Sequence, residues 1–219
     1  MPQEWRTPAI AANRPLTETA DHEIELAAYL RRVLPVSERI EVFHRHAAND
    51  TAYDEVMRRI LLRSLVKKMG HDVRVGLNVR VLHPETFEFG DKVTLCDYCY
   101  LQGRHDGFAK IGNGTWLGPN SYFDARALTI GDYVGWGPGA KLLTSSHTGV
   151  PNDIPFIKTD VVNREVIIGD GVDVGVNAVL LPGIVIGADA IIGAGAVVTK
   201  DVAARQVVAG VPAKCIAVR

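Results

Sequence analysis

The sequence predicts an all-β body, a parallel β-helix of six-residue repeats, preceded by an N-terminal helical segment. Three observations carry this. All 21 glycines lie at or beyond Gly70, so the chain changes character there. Beyond that point the apolar residues follow neither the strand period of two nor the helix period of about 3.6, but a period of six. The six-spaced residues also fall into triplets: Phe89, Leu95, Leu101; Ile111, Leu117, Phe123; Ile130, Trp136, Leu142; Ile168, Val174, Leu180; and Ile186, Ile192, Val198. Spacing this regular is the mark of an internal repeat.

The front, residues 1–70, reads as two helices. Thr17–Leu34 has an acidic, Thr-rich start and a stop at Pro35. Asn49, Asp50 and Thr51 offer caps for a second helix over Ala52–Met69, with Gly70 as its C-terminal cap. Val56 and Ile60, and Met57, Leu61 and Leu65, give that helix an apolar face. The segment is read as a packing or subunit-contact appendage. Met1–Pro15 has no apolar signal core.

In the body, 71–219, one aliphatic anchor per six residues suits short parallel strands joined by tight corners. Three strands close a triangular coil with the anchors inside, and coils stack at a strand spacing of roughly 4.8 Å. Gly112, Gly118, Gly131, Gly175 and Asn177 are candidates for left-handed backbone at the corners. The spacing slips only between triplets, by four residues after Leu101, one after Phe123 and twenty after Leu142. All three insertions therefore leave the same corner, and the last is an extended loop over 143–167. Insertions on one side of a repeat protein mark its working side.

That corner gathers His105 and Asp106, then Asp124, then Thr144-Ser145-Ser146-His147. A neutral imidazole, with an ordinary pKa of about 6.5, can take a proton from a hydroxyl or amine as it attacks an acyl carbon. His147 is thus the candidate base, and Asp124 either orients it or binds a polar acceptor. His105 and Asp106 either bind acceptor or solvate a turn. His22, His44, His46, His71 and His83 are read as surface or packing residues.

Composition narrows the partners. With 24 basic and 25 acidic side chains, a net charge of -1 argues against a nucleic-acid or polybasic membrane surface. Three cysteines are no disulfide framework, which points to a reducing, cytoplasmic setting. Cys96 and Cys99 form a C-x-x-C with no second pair at metal spacing, so no metal is expected. Val174–Val198 is apolar enough to resemble a membrane span, but Pro182, Gly183 and Asp189 interrupt it and its residues keep the six-residue period.

These residues resemble the left-handed parallel β-helix, hexapeptide-repeat acyltransferases, particularly the maltose, galactoside and polysaccharide-type O-acetyltransferases. The resemblance covers about 73–219. Its sharpest stretches are Ile130-Gly131-Asp132 through His147, Ile192-Gly193-Ala194-Gly195 through Thr199-Lys200-Asp201, and Val208-Ala209-Gly210-Val211-Pro212-Ala213-Lys214. It implies a homotrimer with sites between prisms, acetyl-coenzyme A as acyl donor, and His147 as base. It further implies a coenzyme A channel at Ala194, Thr199, Lys200, Pro212 and Lys214. Asp124 matches a position where the family has an acceptor-contacting Asn. Asp173 stands where the sugar acetyltransferases typically have Trp, so it is a candidate contact to a polar acceptor or to a neighbouring subunit's imidazole.

The reading that follows is transfer of an acetyl group to a hydroxyl of a sugar or glycan precursor, by direct attack in a ternary complex. Two alternatives remain: transfer to an antibiotic, serine or amino sugar, and a non-catalytic scaffold.

Overall fold

The fold is described from a computed structural model covering residues 18–219. Met1–Pro15 and Thr17 lie outside the described residues. The front holds three helices: α1 (Asp21–Val33), α2 (Val36–Arg45) and α3 (Ala52–Leu65). Pro35 does end α1 as expected, but it also serves as the N-cap of α2, a helix the sequence reading missed. Proline's fixed φ and missing N–H suit a helix entry as well as a stop.

The second expected helix is shorter than read. Thr51 caps α3 by accepting the Asp54 amide, but the helix ends at Leu65 with Val66 as its C-cap. Lys68–Met69 is already the first strand of the body, with Met69 opposite Phe89. The six-residue clock therefore begins one coil earlier than the sequence triplets, with Met69, Val75 and Val81.

Six coils and part of a seventh stack into a three-sided solenoid. The strands are β1 (Lys68–Met69), β2 (Arg74–Val75) and β3 (Arg80–Leu82); β4 (Phe87–Phe89), β5 (Thr94–Leu95) and β6 (Tyr100–Gln102); and β7 (Phe108–Ile111), β8 (Trp116–Leu117) and β9 (Tyr122–Asp124). The fourth coil is β10 (Ala127–Ile130), β11 (Gly135–Trp136) and β12 (Lys141–Leu142). After the long loop come β15 (Val166–Ile168), β16 (Asp173–Val174) and β17 (Val179–Leu180), then β18 (Val185–Ile186), β19 (Ile191–Ile192) and β20 (Val197–Val198). The first strands of the coils form one parallel sheet, the second strands another, and the third strands the last. Val202 and Val208 begin a seventh coil, which closes in an antiparallel hairpin of β21 (Gln206–Ala209) and β22 (Lys214–Val218).

All fifteen sequence anchors point into the prism and are buried. They face one another coil to coil, Leu101 on Phe123, Phe123 on Leu142 and Leu142 on Leu180 along the third sheet. Two aromatic rings fill the wider middle, with Phe123 and Trp136 at 4.8 Å between centroids. The indole N–H of Trp136 donates to the Ala140 carbonyl, so burying it strands no donor.

The glycine after an anchor has a steric role. A Cβ on Gly90 would lie 2.9 Å from the Asn113 amide nitrogen, on Gly169 2.6 Å from that of Ala188, and on Gly175 2.8 Å from the Ala194 Cα. The stacked backbones leave no room for a side chain. Gly112, Gly118, Gly131 and Gly175 do not take the left-handed angles expected of them. Those angles occur two residues further on, at Gly114, Asn120 and Asn177, among others.

Between the first and second sheets the side chains of Asp91, Asn113, Asp132 and Asp170 form a ladder. Each side-chain oxygen accepts an amide of the coil before it, at 2.6–2.8 Å. This satisfies corner amides that the strands cannot reach.

The helices pack on the first coils through buried arginines. Arg59 pairs with Glu23 at 2.6 Å, joining α3 to α1, with both side chains almost fully buried. Arg58 donates to the carbonyls of Val75, His46 and Asn49, joining α3 to the prism. No helix among the described residues is long and apolar enough to cross a membrane. Val174–Val198 is wound into coils five and six.

Two substitutions separate steric from conformational demand. Gly169→Ala should lower unfolding stability by about 3 kcal/mol, the upper end for overpacking against fixed neighbours. Gly195→Ala, at φ +67° with no atom within 4 Å of the new Cβ, should cost only about 1 kcal/mol. Chemical denaturation of both variants measures the difference, and equal losses would contradict the stacking argument.

Candidate functional site

The three insertions do leave one corner, that between the third and first sheets. A fourth, of two residues, precedes them at the 3-10 turn Pro84–Thr86 in the first coil. His83 thus belongs to the same edge, its ring 6.1 Å from that of His105 on the next coil. The sequence reading left it out because the first coil had not been recognised. Asp106, beside His105, pairs with Arg104 at 2.7 Å, and both His105 and Asp106 are exposed.

One coil further on, Asp124 ends β9 and is buried. Its carboxylate takes the Arg126 Nε–H at 2.8 Å on one oxygen and the Ser145 hydroxyl on the other. Thr144 completes the knot: its hydroxyl donates to the Asp124 carbonyl at 2.7 Å and accepts the Arg126 amide at 3.1 Å. A buried carboxylate needs such partners to stay ionised. Asp124 therefore anchors the root of the long loop, and its oxygens are engaged by Arg126 and Ser145. Arg126 carried no sequence signal, since it lies two residues beyond Asp124 in an apparent one-residue slip.

The loop rises from this root as a hairpin, β13 (Ser145–His147) against β14 (Val161–Asn163), with a 3-10 turn at Phe156–Lys158. His147 sits half-buried at the end of β13, its ring against that of Phe156 at 5.6 Å between centroids. Its Nδ1 lies 2.9 Å from the Thr159 carbonyl oxygen. A carbonyl can only accept, so Nδ1 carries the proton. In the neutral ring Nε2 then has a bare lone pair.

Thr159 is itself buried; its hydroxyl donates to the Phe156 carbonyl and accepts the Gly149 amide. Thr159, not Asp124, orients the imidazole within this chain. Nothing in the sequence marked it, because the contact is a backbone carbonyl across a turn.

The remaining candidates divide. Asp173 lies exposed on β16 of the second sheet, opposite Gly135 and Ile191, and so on a different side of the prism from His147. The five channel candidates gather around β20. Ala194 precedes that strand, Thr199 and Lys200 follow it at the His147 corner, and Pro212 and Lys214 flank Ala213, whose amide donates to the Val197 carbonyl at 2.8 Å. Thr199 is two coils above the loop root, about 10 Å by strand spacing.

The two paired thiols lie at another corner. Burial pushes Cys96 up to about 11 and Cys99 up to about 12, and Cys99 donates to the carbonyls of Leu117 and Gly118. Both are neutral thiols at physiological pH. Among the described residues no three His, Cys, Asp or Glu side chains cluster as a metal site would require.

Comparison with known proteins gives a consistent picture. Residues 165–200 match the family model described as bacterial transferase hexapeptide (six repeats). The galactoside O-acetyltransferase of Escherichia coli is 33% identical over 131 residues, spanning 50% of this chain and 63% of the relative. A chloramphenicol acetyltransferase of Agrobacterium fabrum is 31% identical over 135 residues, spanning 54% and 64%. The chain thus covers less than two thirds of the length of these curated relatives. A hexapeptide-repeat acetyltransferase of Vibrio cholerae, solved with acetyl-coenzyme A, shares the fold with a TM-score of 0.59 at 22% identity, over 90% of this chain and 87% of that one.

The Asp124–Arg126 pair offers a direct test of the knot. Asp124→Ala and Arg126→Met should each lower stability by about 2 kcal/mol, because each leaves a partly buried charge unpaired. The double variant should cost less than their sum, by about 1 kcal/mol or more. A denaturation cycle measures this, and strict additivity would contradict the pairing.

Proposed function

We propose that the chain, whose residues 165–200 match the hexapeptide family model, is an acetyl-coenzyme A-dependent O-acetyltransferase. Its acceptor is a hydroxyl of a sugar or glycan precursor, and His147 is its general base. The observation that carries this reading is the Nδ1 contact to the Thr159 carbonyl, which in the neutral ring directs the lone pair to Nε2.

The chemistry follows from that nitrogen. The acceptor hydroxyl donates its proton to Nε2 as its oxygen attacks the thioester carbonyl carbon. The tetrahedral intermediate collapses with cleavage of the carbon–sulfur bond, and the imidazolium returns the proton to the departing coenzyme A sulfur. Thr159 keeps the ring oriented through both transfers. Direct attack in a ternary complex is favoured because Ser145, Cys96 and Cys99 are otherwise committed. The Ser145 hydroxyl already donates to Asp124, and the Cys96 and Cys99 thiols are neutral and lie on another corner.

Lys200 and Lys214 supply cations for coenzyme A phosphates, and the backbone around β20 supplies amides and carbonyls for the pantetheine arm. Asp106, His105 and Asp124 belong to the acceptor side of the same edge. Asp173, on the second sheet, serves this reaction only from a neighbouring subunit. The reading therefore includes a homotrimer in which one prism's second sheet faces the next prism's loop. The exposed side chains of Val150, Phe156 and Ile157 on that loop fit such a contact. The reaction as proposed uses no metal and belongs to a cytoplasmic enzyme.

The test is coenzyme A release from acetyl-coenzyme A with a panel of acceptors: galactosides, amino sugars, serine and chloramphenicol. Turnover should be greatest with a sugar hydroxyl, and His147→Ala should reduce kcat by about two to four orders of magnitude. Undiminished turnover by a folded His147→Ala protein would remove the base assignment. Preference for an amine would move the reading to N-acetylation.

For Lys200→Ala, the KM for acetyl-coenzyme A should rise about tenfold with kcat little changed, the pattern of lost uniform binding. An unchanged KM would take Lys200 out of the channel.

A further inference from the structure

The His147 edge is not the only concave place on the surface. At the corner between the second and third sheets, the first three coils and the start of α3 enclose a cleft of about 300 Å³. Its floor is formed by the turns after β2, β5 and β8, and Asp50 and Glu55 roof it. A ligand of this size is small, about that of one or two sugar rings.

Two side chains in the cleft have unused donors. Arg74 and Trp116 project from the same side of the second sheet, with Thr94 between them in the register. They stand two strand spacings apart, about 10 Å. Arg74 is half-buried and approaches Glu55 only at 3.9 Å, too far for a hydrogen bond. Among the described residues neither its guanidinium nor the half-buried indole N–H of Trp116 makes a hydrogen bond. Arg58 is different: its donors are spent on three backbone carbonyls, so it shapes the wall rather than facing a ligand.

Charge selects the ligand class. Glu55 and Asp97 match Arg58 and Arg74 in number, so these lining side chains carry no positive excess. That disfavours phosphate or carboxylate. A basic amine would satisfy the carboxylates but leave the guanidinium and indole donors unused. A hydroxylated ring both donates and accepts: it can give hydrogen bonds to Glu55 and take them from Arg74 and Trp116. Its apolar face can lie on the indole and on Pro119.

We infer that this cleft is a second binding site, separate from the His147 edge, that holds a neutral glycosyl unit. It stands across the third sheet from the reacting corner of its own chain, so the sugar it holds is not the one attacked there by that chain's His147. The inference does not depend on acyl transfer. A protein that binds sugar through the cleft yet releases no coenzyme A keeps this site and loses the function proposed above.

The experiment is binding by the full chain, followed by tryptophan fluorescence and saturation-transfer NMR, with maltose, lactose and cellobiose as probes. Inorganic phosphate and spermidine serve as the anionic and cationic alternatives. At least one disaccharide should bind with a millimolar or tighter Kd. Trp116→Leu and Arg74→Met should each weaken that binding about tenfold, while His147→Ala should leave it unchanged. Both substituted residues face outward from the sheet, and an unaltered melting curve shows that the variants are folded; Glu55→Gln provides a third reading at the roof.

The inference is overturned if no disaccharide binds. It is equally overturned if phosphate or spermidine binds instead with the same dependence on Arg74. Sugar binding that survives Trp116→Leu and Arg74→Met but is lost with His147→Ala would return the ligand to the reacting edge.

Discussion

The structure depends on coils lying directly on one another at strand spacing. Each coil gives amides to the next: Gly70 to Phe89, Gly90 to Ile111, Gly112 to Ile130, Gly131 to Ile168 and Gly169 to Ile186, at 2.8–2.9 Å. A strand of two or three residues has little stability alone, so each is held by the strands above and below it. That is why the residue after so many anchors is glycine and why the register of the anchors does not slip within a coil. An extra residue within a face would shift every side chain beyond it. Extra chain can leave only where the ladder is already interrupted, at a corner.

This constraint explains how a short-range sequence pattern builds a site from distant residues. Residues 83, 105, 124 and 147 are separated by whole coils, yet each ends or follows a third-sheet strand and so stands on one edge. The Asp124–Arg126–Ser145 knot then joins a loop of about two dozen residues to the stacked coils. A base on a loop this long is useful only if its root and ring are both fixed. The root is fixed by a buried carboxylate, and the ring by the Thr159 carbonyl.

What could be read in advance follows from which forces are periodic. Anchor burial repeats every six residues, so coil order, the common corner and the position of His147 were legible from sequence. The first coil was not, because Met69, Val75 and Val81 lie close to a helical stretch and Lys67-Lys68 resembles a helix end. Helix α2 was hidden by Pro35, whose chemistry suits both the end of one helix and the start of the next. Thr159 and Arg126 were illegible for a different reason. Their roles are single hydrogen bonds across a turn, and no spacing rule encodes them. Glycine was legible as a corner marker but misassigned in mechanism, since crowding and left-handed backbone both favour it, and only coordinates show that crowding acts one residue after the anchor.

The same geometry assigns different chemistry to the corners. A ladder of Asx side chains occupies the first, where one oxygen of each side chain accepts a backbone amide of the neighbouring coil. Such a corner is structural, because its polar groups are already satisfied. At the third corner the insertions break that economy, and only Nδ1 of His147 is engaged by a backbone carbonyl among the described residues. At the second corner α3 overhangs the first coils, and among the described residues the side chains of Arg74 and Trp116 make no hydrogen bond. Polar groups spared by the ladder are therefore where a ligand can compete. At these two corners added chain, a loop in one case and a helix in the other, shelters the prism from water.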